Sequence, residues 1–260
     1  MRPRRRIRSL EEAAAFVDHV GIAVVWGQAD LVLPSLWSEI GGPDADWAIR
    51  DENGKPTGFS PEFDRLWRWK DELPERRLAC AGKHFRSAAL LVAPRLLAAA
   101  YALTRRAGAA DDFREDELEP LEREVAEAVL ENEPLTGREI RRLLGTSDRK
   151  AVDRAVGRLQ RRLVLTNAGA AEQSQGWRAI RQDLFARRWR RSLRRLPAED
   201  EARRELALAV VAVATDEASA ADVAAALGWR RKLAESVLTD LTAAGRVGAR
   251  EEDGLQLWST

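Results

Sequence analysis

Apolar positions recur at helical spacing along most of this chain, and capping residues punctuate the runs. Ser9-Leu10-Glu11-Glu12 forms a capping box ahead of Ala13, Phe16, Val17 and Val20, with Gly21 as terminator. Ile22 to Trp26 reads as a short buried strand. Leu33-Pro34-Ser35-Leu36-Trp37 predicts a second helix with proline near its start. Gly41-Gly42-Pro43 and Asn53-Gly54-Lys55-Pro56 mark 41–60 as loop. Ser60-Pro61-Glu62 opens a helix from Phe63 that stops at Pro74: an N-cap serine, then N1 proline, then an acid where the dipole favours it. Leu90 to Leu103 is apolar all round and predicts a buried helix.

Beyond a polar linker at 105–112 the pattern changes to a repeated unit. Pro120 to Glu131 is amphipathic through Leu121, Val125 and Val129. Thr136-Gly137-Arg138-Glu139 is a capping box before a short helix that ends at Gly145. Ser147 or Asp148 caps a helix carrying Val152, Val156 and Leu159. Leu163-Val164-Leu165 and Trp177-Arg178-Ala179-Ile180 read as strands, with a polar loop at 167–176 between them. The same order returns over 198–260. A helix from Glu201 to Val213 comes first, and Ser219 to Asp222 caps a short helix ending at Gly228. A third helix carries Leu233, Val237, Leu238 and Leu241, and a hairpin turns at Glu252-Asp253-Gly254. Thr136 and Ser219 each precede their glycine by nine residues. Helix, helix, turn, helix, hairpin is the order of a winged helix-turn-helix. The predicted fold is therefore mainly α with small β-hairpins, built on tandem winged helix-turn-helix modules. Its expected domains are a tryptophan-rich helical domain at 1–110 and winged-helix domains at 113–197 and 198–260.

Composition narrows the chemistry. One cysteine, Cys80, excludes an internal disulfide. With only two histidines, His19 and His84, a structural zinc site is not expected. Neither a GxxxxGK[ST] nor a GxGxxG loop is present, so no cofactor is predicted. No apolar run reaches ~18 residues, so no membrane span is expected. Arg2 to Arg8 lack the apolar segment of a secretory signal, which points to the cytoplasm.

Net charge is only +1, but the charge is blocky. Six acids crowd 111–119, whereas eight arginines between Trp177 and Leu196 face the single acid Asp183. In a helix-turn-helix the helix after the turn enters the major groove, and its early residues reach bases and phosphates. Those positions hold Arg149, Lys150 and Arg154, with Arg158 one turn on, in the first copy. In the second they hold Arg230, Arg231 and Lys232 after Trp229. Arginine suits bidentate contact to guanine or phosphate, and lysine a point contact. Double-stranded DNA is the expected partner. A helix over Arg187 to Arg195 reads either as a phosphate track or as a surface paired with nearby acids. Asp71 and Glu72, among tryptophans at a helix end, read as an ordinary ion pair or as a general base. Gly82-Lys83-His84 is a weak phosphate motif.

Ser9-Leu10-Glu11-Glu12-Ala13, Leu33-Pro34-Ser35-Leu36-Trp37, Trp69-Lys70-Asp71-Glu72-Leu73-Pro74 and the unit that follows resemble the tandem winged-helix DNA glycosylase superfamily (AlkZ-like), especially its shorter relatives, over about residues 7–195. The resemblance implies a concave DNA-binding surface and removal of alkylated bases by N-glycosidic hydrolysis. It also implies a Gln-x-Gln or Gln-x-Asp motif that positions the attacking water. Gln28-Ala29-Asp30 fits the letters, with a small middle residue and a short spacing to Leu36-Trp37. On that resemblance Asp30 polarises water and steadies the developing positive sugar, and Gln28 orients the water. Three functions stay open on sequence: a repair glycosylase or its relative, a non-enzymatic DNA-binding regulator, and a protein-interaction scaffold.

Overall fold

The computed structural model describes residues 6–27, 31–42, 44–86, 88–173, 177–214, 217–252 and 254–260. Its architecture is mainly helical with small antiparallel sheets. α1 (Leu10–Val20) is capped as the sequence predicts: the amide of Glu12 donates to Ser9 Oγ at 3.1 Å, and Gly21 closes the helix at φ 77°. β1 (Ile22–Val24) follows. In α2 (Leu36–Gly41) Ser35 is the cap, so Pro34 lies just outside the helix.

The stretch 41–60 is not all loop. β2 (Ala48–Arg50) and β3 (Pro56–Phe59) form a hairpin around Asn53-Gly54, and Gly54 takes the positive φ that such a turn needs. α3 (Pro61–Glu75) starts where expected, but Pro74 sits in its last turn rather than ending it.

The apolar run at 90–103 is also corrected. After β4 (Cys80–Gly82), its first residues are β5 (Leu90–Val92), the centre of a sheet ordered β1-β5-β4. Only after a 3-10 turn at Pro94–Leu96 does α4 (Leu97–Ala102) begin. A proline pushes its predecessor toward extended backbone, and Ala93 adopts it at φ −62°, ψ 139°.

Next come α5 (Pro120–Glu131), β6 (Leu135–Thr136), α6 (Gly137–Leu143) and α7 (Arg149–Arg161). β7 (Leu165–Ala171) and β8 (Ala179–Leu184) are longer than the sequence suggests, and β7 takes in residues 167–171 that read as loop. The arginine-rich helix shrinks to α8 (Phe185–Arg188), followed by turns. The chain closes with α9 (Glu199–Val211), β9 (Ala218–Ser219), α10 (Ala220–Leu227), α11 (Arg231–Ala243), β10 (Gly248–Glu252) and β11 (Leu255–Ser259). The stretches 120–184 and 199–259 thus share an element order, each closing a three-stranded sheet: β6-β8-β7 and β9-β11-β10. Both short helices carry complete capping boxes, Thr136 with Glu139 and Ser219 with Asp222.

Three apolar clusters hold these elements. One lies under α1, α2 and α3, with Leu36, Leu66 and Leu73 fully buried. A second joins α5, α6 and α7 through Val125, Ile140 and Leu159. The largest ties the β1-β5-β4 sheet to α4, α8 and all of α9 to α11. The loop after β4 is a wedge in this arrangement. The Lys83 amide donates to Gln160 Oε1 of α7 at 2.8 Å, and Arg86 Nη1 donates to the Ala225 carbonyl of α10 at 2.9 Å. One loop therefore touches α7 and α10 together.

Candidate nucleic-acid interface

α7 is positioned by its sequence on both faces. Val152, Ala155 and Leu159 are buried at i, i+3 and i+7. The opposite face shows Arg149, Lys150, Asp153 and Arg154 to solvent. Asp148 caps the helix, accepting from the Ala151 amide at 2.9 Å. Cations in a first turn oppose the helix dipole, so Arg149 and Lys150 hold a position that stability alone disfavours. Arg149 reaches Asp153 at 3.3 Å with its side chain 78% exposed, which leaves the guanidinium largely in water.

The cleft beside α7 is cationic. A cavity of about 520 Å³ between α6, α7 and the β7–β8 hairpin is lined by Arg138, Arg141, Arg149 and Arg178, with Asp153 and Trp177. Among the described residues no carboxylate pairs with Arg138 or Arg141. A second cavity, about 310 Å³, lies between Lys83 and the α7 residues Arg154, Arg158 and Arg161. Gly157 lies at this approach, where even a Cβ would be in ordinary contact with Lys83 Cδ at 3.8 Å. Arg158 is tied differently from its neighbours, because it pairs with the buried carboxylate of Glu122 on α5.

At the matching point of 199–259, Arg230 stands at the N-cap of α11, and Arg231 and Lys232 fill its first turn, all exposed. The surroundings are less basic there. Arg250 is held by Glu217 and Glu252.

Of the arginines after Trp177, Arg178 and Arg181 pair with Glu172 and Glu75, and the six from Arg187 to Arg195 divide in two. Arg187 Nε donates to Asp183 at 2.8 Å, and its other nitrogens reach the carbonyls of Leu130 and Val129. Arg188 donates to the carbonyls of Pro74 and Glu75. These two staple elements together. Arg190, Arg191, Arg194 and Arg195 remain exposed, on turns rather than on one helix face.

A buried polar cluster lies behind α7. His84 Nδ1 donates to the Gln160 carbonyl at 2.9 Å, which leaves Nε2 unprotonated. Thr166 Oγ1 donates to the Ala81 carbonyl at 3.1 Å, so the Cys80 thiol, 3.3 Å away, is the donor to His84 Nε2. Burial pushes the Cys80 thiol up to about 12 and the His84 imidazole down to about 4. Both groups are neutral and sealed from solvent, so this pair fastens β4 to α7 and β7 rather than acting as a nucleophile. Asp71 is 1% exposed and pairs with Lys70 at 2.7 Å. The ion-pair reading of that motif therefore fits, although its Oδ2 has no hydrogen-bond partner.

Gln28 and Asp30 lie outside the described residues. The chain enters that segment from Trp26, whose ring packs 5.6 Å from Phe63 and 5.5 Å from Trp37. From Phe63 an aromatic series continues outward. Phe59 and Trp67 stack on it at 4.6 and 5.5 Å, and Trp177 of the β7–β8 hairpin closes on Trp67 at 4.6 Å. Trp67 is half-buried and faces Trp177. The i, i+4 spacing of Phe63 and Trp67 held the signal for one side of this contact. Nothing local announces Trp177 as the other side. Among the described residues no set of His, Cys, Asp and Glu is placed to hold a metal, and no helix is long and apolar enough to cross a membrane.

Comparison with known proteins adds family and fold. The family model described as AlkZ related matches residues 7–227, and the chain belongs to this family. No curated protein matches it in sequence. Among solved structures it is similar to Streptomyces sahachiroi DNA glycosylase AlkZ, with a TM-score of 0.55 and 15% sequence identity. The match covers 99% of this chain and 65% of that one, so this chain spans under two thirds of the length of the solved relative.

Proposed function

We propose that this member of the AlkZ-related family binds duplex DNA through tandem winged helix-turn-helix modules and acts on it as a base-excision glycosylase. The modules are 113–197 and 198–260, set beside the tryptophan-rich domain 1–110. The observation that carries the reading is the cleft of Arg138, Arg141, Arg149 and Arg178 beside α7, whose exposed first turn adds Lys150. A polyanion entering that cleft neutralises the arginines and releases its counterions, the main source of DNA affinity. Arg149, Lys150 and Arg154 take phosphates and base edges, and Arg158 supports them from its pair with Glu122. Arg230, Arg231 and Lys232 make the corresponding contacts from α11.

For the chemistry, the family resemblance assigns Gln28 and Asp30. Asp30 takes a proton from a water that Gln28 orients. The water oxygen bonds to C1′ of the nucleotide, and the N-glycosidic bond breaks with its electron pair going to the base. The products are a free base and an abasic sugar. An alkylated purine leaves readily because its ring already carries positive charge.

The test is base release from an alkylated duplex, with binding followed in the same samples. Wild type releases methylated base, and Asp30→Asn binds the duplex but releases none. Binding without release in wild type contradicts excision and leaves a DNA-binding regulator. Absence of binding at ~50 mM salt, where phosphate contacts are strong, contradicts the whole reading.

A further inference from the structure

Large apolar side chains are unevenly exposed on this molecule. Six are exposed among the described residues, and four of them gather at one place: Trp47 (43%), Ile49 (51%), Phe59 (40%) and Trp177 (53%). Trp47 and Ile49 flank the inward Ala48 on β2, and so point to the same side of that strand. Trp47 lies 5.9 Å from Phe59, and Phe59 lies 5.3 Å from Trp177. Behind them Phe63 and Trp67 stack in series and hold the outer rings in place. Lys70 Nζ, fixed by Asp71, sits 4.1 Å from the centre of the Trp67 ring and braces the inner layer.

Trp177 belongs to two surfaces at once. It ends this aromatic face and also lines the cleft of Arg138, Arg141 and Arg149. Rigid rings beside the guanidinium groups of Arg138 and Arg141, which pair with no carboxylate among the described residues, match one ligand chemistry, namely planar bases carried on a phosphate backbone. Paired bases in an intact duplex offer only their edges, because their faces are stacked on each other. Exposed rings such as these accept a base only where the duplex has opened.

We propose that the face formed by Trp47, Phe59 and Trp177 stacks on unpaired bases, so that the protein prefers DNA whose strands are locally separated over intact duplex. This deepens the DNA-binding reading and rests on it. Phosphates of the flanking duplex lie along the arginine cleft, and the displaced bases meet the aromatic rings.

The test compares labelled duplexes of one length, fully paired or carrying a central bubble of unpaired thymines, by fluorescence anisotropy. Wild type binds the bubble about tenfold more tightly or better, the scale of one stacked base. Trp47→Ala and Phe59→Ala each lose most of that preference yet keep wild-type affinity for the paired duplex, and Trp177→Ala loses the preference as well. Trp177→Phe retains a ring and retains the preference, which separates stacking from any structural role of the position. Equal affinity of wild type for the two DNAs overturns the proposal while leaving duplex binding intact. A Trp177→Ala variant that abolishes self-association in sedimentation and leaves the preference unchanged also overturns it, in favour of a protein contact. Loss of all DNA binding in wild type is the separate failure of the underlying reading.

Discussion

Arg158 on α7 pairs with Glu122 on α5, and the two partners differ sharply in exposure: the arginine side chain is 40% exposed and the glutamate 3%. The carboxylate has been taken out of water and depends on its partner. An arginine at a position expected to face DNA thus also holds two helices of one module together.

Arg158→Ala therefore leaves a buried charge uncompensated and destabilises the fold by about 1–3 kcal/mol. Lys150→Ala, on the same helix but fully solvated, changes stability by under about 0.5 kcal/mol. Urea denaturation of both variants checks the contrast. Replacing Glu122 and Arg158 together by Leu and Met recovers most of the loss, because no orphan charge remains.

Stability falls in acid because of His84. Its imidazole is held down at about 4 by burial, against 6.5 when unfolded. The unfolded chain therefore binds the extra proton first, so the stabilisation is full above pH 6.5 and is lost as pH falls toward 4. Between pH 7 and pH 5 this group alone removes about 2 kcal/mol. His84→Gln lacks the titration, and the difference between its pH profile and that of wild type isolates the effect in denaturant melts.

Gly228 is required by the wedge loop. It has φ +68°, and a Cβ placed there would lie 2.1 Å from the Phe85 carbonyl oxygen. Gly245 has nearly the same φ, +64°, but open space around it. Gly228→Ala costs about 2 kcal/mol or more, and Gly245→Ala about 1 kcal/mol. Thermal unfolding of the pair separates backbone strain from the clash with Phe85.

Much of this fold is legible in local chemistry. Ser9, Thr136 and Ser219 announce their helices because each N-cap bond closes within four residues, and Thr136 and Ser219 complete the capping box. Pattern fails where a choice depends on distant neighbours. Leu90–Val92 and the helix after Pro94 are both apolar and largely buried, so periodicity cannot divide them. Pro94 marked the seam, as Asn53-Gly54 marked the β2–β3 turn, and both signals were local. The site divides in the same way. The cations of α7 and α11 follow from their place after a turn. The bond between His84 and Gln160 spans 76 residues, and Trp177 meets Trp67 only once α3 has packed on β7.

The proposed DNA contact is made by the exposed cations of α7, and the salt dependence of duplex binding by Arg149→Ala/Lys150→Ala tests this most directly. Each phosphate contact contributes about 0.9 to the slope of log K against log salt. The double variant is expected to bind more weakly at every salt concentration, with a slope shallower by about 2 than wild type. A slope and affinity equal to those of wild type would contradict the interface placed on this helix.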